Sequence, residues 1–376
     1  MVWCFLKKGS SFPTRVERKL RNFHKMLPVV IISILFTTAL GGTLCPLPEN
    51  IYPCSCTNVK FGRTMYTLVN CHHLANTYVL NKLMPVLGSM QIDKFLIFAS
   101  FSGVSSYSMD REALMPTDWL SLLRAKEIEI YSTRLHSCFA CQQEMDCKNS
   151  ATQRFTIIEN YTPGNICLMC KKGQVEYSWI GCMSRLKHFH YSHGQITSVG
   201  TDMFPVDMPQ MRVVNLTRNA ISTVAPGAFQ KLNKLTTLDL SHNQIENFDF
   251  FTTEMNLEFL DLSWNHIKEI DSKQFSHLTQ LTQLLLETNA VTGIKEESCR
   301  KSSFTNLKYI NLKENPLHCD CKIKWMLCFP DADVEGTCDT PEDYENLDIV
   351  ETYHLLVEEC GIDDNRQNYT RRRIGY

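Results

Sequence analysis

The sequence lacks the excess of positive charge that is typical of nucleic-acid-binding proteins. Its 376 residues include 38 Lys and Arg against 40 Asp and Glu, a formal net charge of −2. The first 25 residues hold seven basic residues and one Glu, a net +6, so residues 26–376 carry −8. A nucleic-acid surface needs basic charge clustered on a folded domain. We therefore predict that the protein has no nucleic-acid partner.

Long hydrophobic runs are also scarce. The single one, residues 27–40 (LPVVIISILFTTAL), has 14 residues and follows Lys25. A membrane span takes about 20 apolar residues, whereas a shorter run behind a basic residue is typical of a secretory signal peptide. We predict that residues 1–41 form a leader, with Met26 as a second candidate start. The alternative is an uncleaved leader that anchors a type II membrane protein, and we expect membrane contact in that case alone.

Catalytic motifs are absent as well. The chain contains no G-x-S-x-G, no H-E-x-x-H and no phosphate-binding loop. This absence indicates a protein that is not an enzyme and needs no cofactor. A catalytic protein whose active groups are scattered along the chain is the alternative, because a motif search does not detect it.

Cysteine, in contrast, is abundant. The chain has 17 cysteines, of which Cys4 lies in the leader and sixteen follow it. So many cysteines in close spacing indicate disulfides that form in an oxidising compartment. We therefore predict a secreted, extracellular protein.

A repeated pattern occupies residues 186–315. Five copies fit L-x-x-L-x-L-x-x-N-x-L, and their central strand residues are 22 to 26 residues apart, close to the spacing of leucine-rich repeats. The copies are Met211/Val214/Leu216/Asn219/Ile221, Leu235/Leu238/Leu240/Asn243/Ile245, Leu257/Leu260/Leu262/Asn265/Ile267, Leu281/Leu284/Leu286/Asn289/Val291 and Leu307/Ile310/Leu312/Asn315/Leu317. A weaker copy has Leu186, Phe189, Tyr191 and Ile196, with Gly194 in place of the Asn.

The repeat predicts a specific architecture. Each L-x-L core is expected to be a short strand whose apolar side chains point inward and which pairs in parallel with the next copy. Each Asn is expected to bond backbone groups where the chain leaves the strand. Five phenylalanines are predicted to stack on the convex side: Phe204, Phe229, Phe251, Phe275 and Phe304.

The segment before residue 186 contains degenerate repeats. In residues 75–135, one strand is predicted at Phe95 and Ile97, and a second copy follows at Ala125, Ile128, Ile130, Thr133 and Leu135. Residues 136–185 form Cys-rich loops. They contain either a third strand, with Phe155, Ile157 and Asn160, or one insertion without a strand.

Cysteine-rich caps flank the repeats at residues 42–74 and 316–361, and a polar tail follows at 362–376. The motifs CPLPENIYPCSC and Asn315-Pro316 with Cys319, Cys321 and Trp325 resemble the extracellular leucine-rich-repeat family with cysteine-flanked caps. The opening motif looks more narrowly like secreted arthropod members that are similar to the non-catalytic subunit of a shrimp luciferase.

This resemblance implies disulfide pairings for the caps. It pairs Cys45 with Cys56, Cys54 with Cys71, Cys319 with Cys338 and Cys321 with Cys360. Cys299 and Cys328 depart from the family pattern and form a candidate extra pair.

Two further clusters contain residue types that bind metal ions. The six cysteines of the Cys-rich loops are Cys138, Cys141, Cys147, Cys167, Cys170 and Cys182. Behind a signal peptide, disulfides of unknown connectivity are favoured over zinc. The pattern H-x-H-x-x-H at His188, His190 and His193 lacks a carboxylate at matching spacing, so an ordinary polar surface is favoured over a metal site. We predict no bound metal.

The outward strand positions are the candidate binding surface. They lie in three columns, and Trp, Tyr, Phe and Arg are the types that anchor interfaces. The columns are His190, Asn215, Asp239, Asp261 and Asn311; His193, Arg218, His242 and Trp264; and Phe259 and Tyr309. Asp239 beside Asp261 favours a basic or hydroxyl-rich ligand. The alternative is an ordinary solvated face.

Three N-x-S/T sequons are candidate glycosylation sites: Asn160, Asn215 and Asn368. Asn160 cannot be both a buried ladder residue and glycosylated, which weighs against the third strand. A glycan on Asn215 would cover part of the binding face.

The sequence thus predicts an α/β solenoid, a leucine-rich-repeat horseshoe with a parallel concave sheet, an irregular convex side and disulfide caps. Its predicted function is non-enzymatic binding of an extracellular protein or glycoconjugate. The alternatives are a non-catalytic stabilising subunit of a secreted enzyme and a type II membrane-anchored receptor or adhesion protein.

Overall fold

The computed structural model describes residues 45–74, 77–98, 119–131, 150–158, 169–172, 175–194, 196–204, 206–295, 306–329 and 331–361. Its strands are β1 (Cys54–Phe61), β2 (Thr64–His72), β3 (Ile92–Phe98), β4 (Ala125–Tyr131), β5 (Arg154–Ile158), β6 (Met169–Lys172), β7 (Val175–Ser178), β8 (His188–Ser192), β9 (Ser198–Val199), β10 (Val213–Asn215), β11 (Thr223–Val224), β12 (Thr237–Asp239), β13 (Phe259–Asp261), β14 (Gln283–Leu285), β15 (Tyr309–Asn311), β16 (Leu317–His318), β17 (Asp333–Glu335) and β18 (Cys338–Thr340). Its α-helices are α1 (Pro48–Ile51), α2 (Thr77–Leu87), α3 (Trp119–Leu122) and α4 (Ile349–Glu359). Short 3-10 helices cover Trp179–Cys182, Ser272–Phe275, Cys321–Cys328 and Glu342–Tyr344.

One sheet runs the length of the solenoid. Its strand order is β1-β2-β3-β4-β5-β8-β10-β12-β13-β14-β15-β17. β1 pairs with β2 in antiparallel fashion, and each later neighbour in this order pairs in parallel. The register places equivalent positions of successive repeats side by side, as with Val214, Leu238 and Leu260. The predicted fold, a leucine-rich-repeat solenoid with a parallel sheet, is therefore confirmed.

The inward side chains of the repeats form the core. Leu238 and Leu240 are fully buried, whereas Asp239 between them is half-buried. Because successive side chains of a strand point to opposite faces, one face of the sheet packs inward and the other remains open. Full burial of a leucine contributes about 1.5–3 kcal/mol, so this alternation determines which face is left for binding.

A ladder of asparagines ties the repeats together. The Asn243 side-chain amide donates to the carbonyls of Leu216, Leu240 and Ser241 over 3.0, 2.9 and 3.1 Å. Its Oδ1 accepts from the backbone N–H of Ile221 over 3.0 Å. Asn265, Asn289 and Asn315 repeat both halves of this pattern. These bonds satisfy buried backbone groups that the short strands leave unpaired, which confirms the predicted role of the asparagines.

In the weaker repeat copy at residues 186–196, the ring of Tyr191 occupies the place of the ladder asparagine. A Cβ on Gly194 would lie 2.1 Å from Cε1 of Tyr191, so the tyrosine ring fills the space that an asparagine side chain would need. In the next repeat, Asn219 donates to the carbonyls of Tyr191, Leu216 and Thr217. Its Oδ1 is buried and accepts no bond from the residues the structure describes. The ladder therefore begins, incompletely, at Asn219.

Phenylalanines pack along the convex side, in part as predicted. Phe204 contacts Phe229 with ring centroids 6.0 Å apart, and Phe229 contacts Phe251 at 6.5 Å. Two rings that the sequence analysis did not single out complete the stack: Phe250 lies 5.8 Å from Phe229, and Phe248 lies 5.4 Å from Phe275. Phe304 lies outside the described residues.

The degenerate N-terminal repeats also form strands. β3 and β4 confirm the strands predicted at Phe95 and at Ala125, whereas Thr133 and Leu135 lie outside the described residues. β5 pairs in parallel with both β4 and β8. The third strand is therefore present, and the alternative of an insertion without a strand is wrong. The 136–185 segment also contains the antiparallel β6–β7 hairpin.

Disulfides close both caps as the family resemblance implied. Cys45 bonds Cys56 and Cys54 bonds Cys71, the latter across the paired β1 and β2. At the other end, Cys319 bonds Cys338 and Cys321 bonds Cys360. The structure does not describe Cys299, the side chain of Cys328 or the side chains of the six cysteines in the Cys-rich loops.

The C-terminal cap covers the last turn of the core with α4. Asp348 is the N-cap residue of this helix, and its carboxylate accepts from the N–H groups of Val350 and Glu351. Such a cap contributes about 1 kcal/mol. Tyr353 and Leu356 are buried on the inner side of the helix. In the described part of the chain, no helix is both long and apolar enough to cross a membrane.

Candidate binding face

The outward side chains of the sheet lie in regular columns on its concave face. The central column, in register order, is His190, Asn215, Asp239, Asp261, Leu285 and Asn311. The flanking column is His188, Val213, Thr237, Phe259, Gln283 and Tyr309. Beyond the ends of these strands lies a third row, called the ridge here: His193, Arg218, His242, Trp264, Thr288 and Glu314. The eleven residues that the sequence analysis placed in columns all occupy these rows.

Hydrogen bonds hold Asp239 in place within the central column. The side-chain amide of Asn215 donates to its Oδ2 over 2.6 Å. Its Oδ1 accepts from the N–H and the hydroxyl of Ser241 over 3.0 and 2.7 Å. Both carboxylate oxygens of Asp239 therefore already have donors from the protein.

Asp261 sits beside Asp239 but has fewer partners. Its Oδ1 accepts from the N–H of Ser263 over 2.9 Å, and the Ser263 side chain adds a hydrogen bond to the same carboxylate. Burial raises the pKa of Asp261, and the negative charges of Asp239 and Glu287 raise it further, against the lowering effect of the Ser263 bonds. Asp261 is thus a partly desolvated carboxylate on the open face, and its donors among the described residues come from Ser263 alone.

The C-terminal strands carry a connected set of polar groups. The Tyr309 hydroxyl donates to Oε2 of Glu335 over 2.8 Å, and Lys313 pairs with the same oxygen at 2.7 Å. Asn311 donates to Glu287 over 3.0 Å. Burial, followed by the bond to Glu335, raises the pKa of Tyr309 to about 12, so its hydroxyl stays protonated. These groups are preorganised without a ligand.

The ridge residues share a left-handed backbone. Their φ values run from 53° to 58°, although none of them is glycine. Four ridge N–H groups donate to a carbonyl of the next repeat: Arg218 to Ser241, His242 to Ser263, Trp264 to Glu287 and Thr288 to Lys313. A left-handed backbone costs a non-glycine residue about 1–2 kcal/mol. The ridge therefore places six non-glycine side chains along the edge of the face.

Trp264 is an exposed aromatic group of the ridge. Half of its surface (50%) is accessible, and its ring stacks on His242 with centroids 5.1 Å apart and planes at 16°. Burial lowers the pKa of His242, and the charge of neighbouring Arg218 lowers it further. A mostly neutral imidazole therefore extends the flat face of the indole toward Arg218.

The histidines of the H-x-H-x-x-H pattern share a hydroxyl rather than converge on an open site. His190 Nε2 and His193 Nδ1 lie 2.9 and 3.3 Å from Oγ of Ser192, while His188 belongs to the flanking column. The described residues contain no group of three or more His, Cys, Asp and Glu side chains that could hold a metal ion. These contacts favour the reading of this stretch as part of a polar protein surface.

The N-terminal part of the face carries charges that sequence reasoning missed. Lys94 pairs with Glu129 at 2.7 Å, and Lys126 pairs with Asp93 at 2.6 Å. The alternation in KEIEIY points Glu129 outward, but only the register between β3 and β4 shows that Lys94 meets it. The opposite charges in this part of the face therefore cancel, whereas those of the C-terminal part do not.

One predicted glycosylation site falls on the face. Asn215 lies in the central column, and its amide nitrogen, the atom a glycan would use, donates to Asp239. Glycosylation of Asn215 stays a prediction, and a glycan there would replace this bond. Asn160 and Asn368 lie outside the described residues.

Comparisons with known proteins agree with the repeat pattern. Models of the leucine rich repeat match residues 184–245 and 256–278. Lumican of Mus musculus is 28% identical over 192 residues, which are 50% of this chain and 49% of lumican. Fibromodulin of Sus scrofa is 34% identical over 115 residues, 30% of this chain and 75% of that sequence. The chain thus spans about half the length of mouse lumican.

Among solved structures, a chain from an octameric complex of Latrophilin 3, Unc5D and FLRT2 aligns with a TM-score of 0.45 and 17% identity. The alignment covers 70% of this protein and 82% of that chain.

Proposed function

Because this chain belongs to the leucine-rich-repeat family that includes lumican and fibromodulin, we propose that it is a secreted, non-enzymatic binding protein. Its concave face binds an extracellular protein or glycoconjugate. The observation that carries this proposal is the half-exposed Trp264, stacked on His242 at the edge of a face that also presents the carboxylate of Asp261.

The mechanism is preorganised complementarity. The ladder bonds and the parallel sheet hold the strands in fixed register, so the side chains of the face need little further ordering when a partner arrives. A flat aromatic pair provides apolar contact area, and exposed Trp, Tyr and Arg are the types that dominate interface energies. Asp261 supplies an acceptor for a basic or hydroxyl-bearing group.

Extracellular location is part of the same proposal. Four cap disulfides support it, because such bonds persist in oxidising compartments. The apolar run at residues 27–40 supports a cleaved secretory leader.

The test begins with the partner. The chain, tagged at its C-terminus, is expressed in secretory cells of its own source, the medium is cross-linked, and bound species are identified by mass spectrometry. Trp264→Ala together with His242→Ala should then weaken binding of that partner about 30-fold, as expected when about 2 kcal/mol of an interface anchor is removed. Secretion should stay normal.

A matched control is Leu355→Ala, which truncates a similarly exposed apolar side chain (58%) on α4, away from the face. It should leave binding unchanged. Equal affinities for the double variant and the parent chain would move the site off the concave face.

The accessory-subunit alternative keeps one supporting observation, the opening motif CPLPENIYPCSC. Under that alternative, the recovered species is a single enzyme in stoichiometric amount, and loss of this protein shortens the enzyme's lifetime in the medium. Tagged protein that stays on cells with its leader intact would instead favour the membrane-anchored receptor.

A further inference from the structure

The C-terminal half of the concave face has an unbalanced negative charge. The outward positions of β12, β13, β14, β15 and β17 and the residues that directly follow them carry five carboxylates: Asp239, Asp261, Glu287, Asp333 and Glu335. Lys313 is the basic side chain among these described positions, and it already pairs with Glu335. We call this set the acidic half. Among the described residues, Asp239, Asp261 and Glu287 form no salt bridge, so a cationic occupant would find these three carboxylates available.

Within the acidic half, Asp261 is the position best prepared for a cation. Asn215 and Ser241 already supply donors to Asp239, and Lys313 and Tyr309 to Glu335. Asp261 has donors from Ser263 alone among the described residues, and Phe259 lies two residues before it and Trp264 three residues after it. An acceptor flanked by aromatic rings suits a guanidinium, which bonds carboxylates in its plane and stacks through its face.

The chain itself carries such a cation. Residues 365–376, NRQNYTRRRIGY, contain four arginines and no acidic residue, and three of the arginines are consecutive, Arg371 to Arg373. The segment follows Gly361, next to Cys360, which is bonded to Cys321 in the C-terminal cap. It therefore starts beside the acidic half rather than at the far end of the solenoid.

The segment is long enough to reach Asp261 on β13. The ten residues from Gly361 to Arg371 can span up to about 33–36 Å when extended. β13 lies three strands from β17 in the sheet, which corresponds to about 14 Å at the usual strand spacing. The remaining length is enough to pass around the cap.

We propose that the basic segment 365–376 docks on the acidic half of its own concave face, with the Arg371–Arg373 run at Asp261 and Trp264. The segment then occupies the surface that an external partner would use. A partner binds by displacing it, so its apparent affinity is reduced by the fraction of molecules in which the face is covered. The contact is electrostatic and partly exposed, so it weakens as salt is added.

The first experiment locates the segment in the secreted full chain. Ile374 is replaced by the photoreactive residue p-benzoylphenylalanine, the protein is irradiated, and crosslinked peptides of the monomer band are identified by mass spectrometry. Crosslinks to residues 259–264 and 283–287 are expected. They should disappear in the variant Arg371→Ser, Arg372→Ser, Arg373→Ser. Crosslinks to the convex side, or none in the monomer, overturn the proposal, and crosslinks confined to a dimer band assign the segment to a second copy instead.

The second experiment measures the contact in trans. A fluorescent peptide of residues 365–376 is titrated into the full chain that carries the triple Arg→Ser change, so that its own segment no longer competes. Asp261→Asn should weaken peptide binding about tenfold. The control Asp207→Asn removes an exposed carboxylate outside the concave rows and should leave binding unchanged.

Equal weakening by both aspartate variants would reduce the effect to overall charge and overturn the proposal. The outcome is independent of the external partner, because neither experiment contains one. A chain whose segment docks but whose face binds no partner would contradict the proposed function alone.

Discussion

The side-chain amide of Asn215 donates to the carboxylate of Asp239 over 2.6 Å, across the boundary between two repeats. This bond makes the two aspartates of the central column unequal. Asp239 is stabilised by its neighbour, while Asp261, directly opposite it in the next strand, faces a like charge without such a donor. The inequality has consequences for both stability and binding.

In the chain that carries the triple Arg→Ser change, replacing Asp261 by asparagine should stabilise the protein. The pKa of Asp261 is raised in the folded state, so its charged form at pH 7 is less favourable there than in the unfolded chain. The amide keeps an acceptor for the N–H of Ser263 and removes the repulsion from Asp239. We expect the free energy of unfolding in urea to rise by up to about 1 kcal/mol, while partner affinity falls. Asp239→Asn is the matched control, and an equal gain there would contradict the inequality.

The ladder predicts a difference between two asparagines of the same type. Asn243→Ala removes three donated bonds and leaves the buried N–H of Ile221 without its acceptor, whereas Asn219→Ala removes three donated bonds alone. A buried unsatisfied donor costs about 1–3 kcal/mol. Asn243→Ala should therefore lower the free energy of unfolding by about 1–3 kcal/mol more than Asn219→Ala. Urea denaturation of both variants would refute this if the losses were equal.

Thr288 carries backbone strain that substitution should relieve. Its φ is 53°, a conformation that is unfavourable for a β-branched residue and that asparagine tolerates. Thr288→Asn should raise the free energy of unfolding by about 1 kcal/mol. Thr201→Asn, at an exposed threonine outside the left-handed set, is the control and should change little. A thermal or urea midpoint that falls at position 288 would show that the threonine side chain has another role.

His190 should make the protein less stable in mild acid. Burial lowers its pKa below 6.5, and His193 adds to this effect while Asp239 and Glu129 oppose it. Below pH 6.5 the unfolded chain takes up the proton before the folded protein does, so the free energy of unfolding decreases until the folded pKa is reached. Urea unfolding at about pH 7.5 and about pH 5.5 should therefore differ less for His190→Gln than for the parent chain. The exposed His266→Gln should retain the full difference.

The rows of the face could be predicted from the sequence because two periods determine them, the two-residue alternation of a strand and the length of the repeat. Strand alternation points Asp239 and Asp261 outward, and the repeat length places them side by side. The state of each carboxylate could not be predicted, since it depends on whether Asn215 reaches Asp239 rather than solvent. The stacking of His242 on Trp264 likewise follows from the left-handed backbone of both residues, which the motif does not reveal.

Other features were missed because the motif contains no signal for them. Phe248 and Phe250 join the convex stack, although the repeats around them have no phenylalanine at matching offsets. The ring of Tyr191 takes the place of a ladder side chain, which needs a glycine at 194 and a size match that the repeat template does not encode. Whether a ring can take the place of a ladder side chain depends on the space available for it. That space is determined only when neighbouring turns pack together.

The solenoid has two parts, before and after the Tyr191 ring, and different interactions connect the repeats in each part. From Asn219 to Asn315 each turn is tied to the next by buried amide bonds, while ion pairs such as Lys94–Glu129 link the outer face of the earlier turns. Stability in an array is a sum of such local terms, so we expect the two parts to open as separate cooperative units, with the earlier turns exchanging their amide hydrogens first. Trp264 and Asp261 both belong to the amide-tied part. A molecule whose first turns have come apart therefore still holds its binding residues in register.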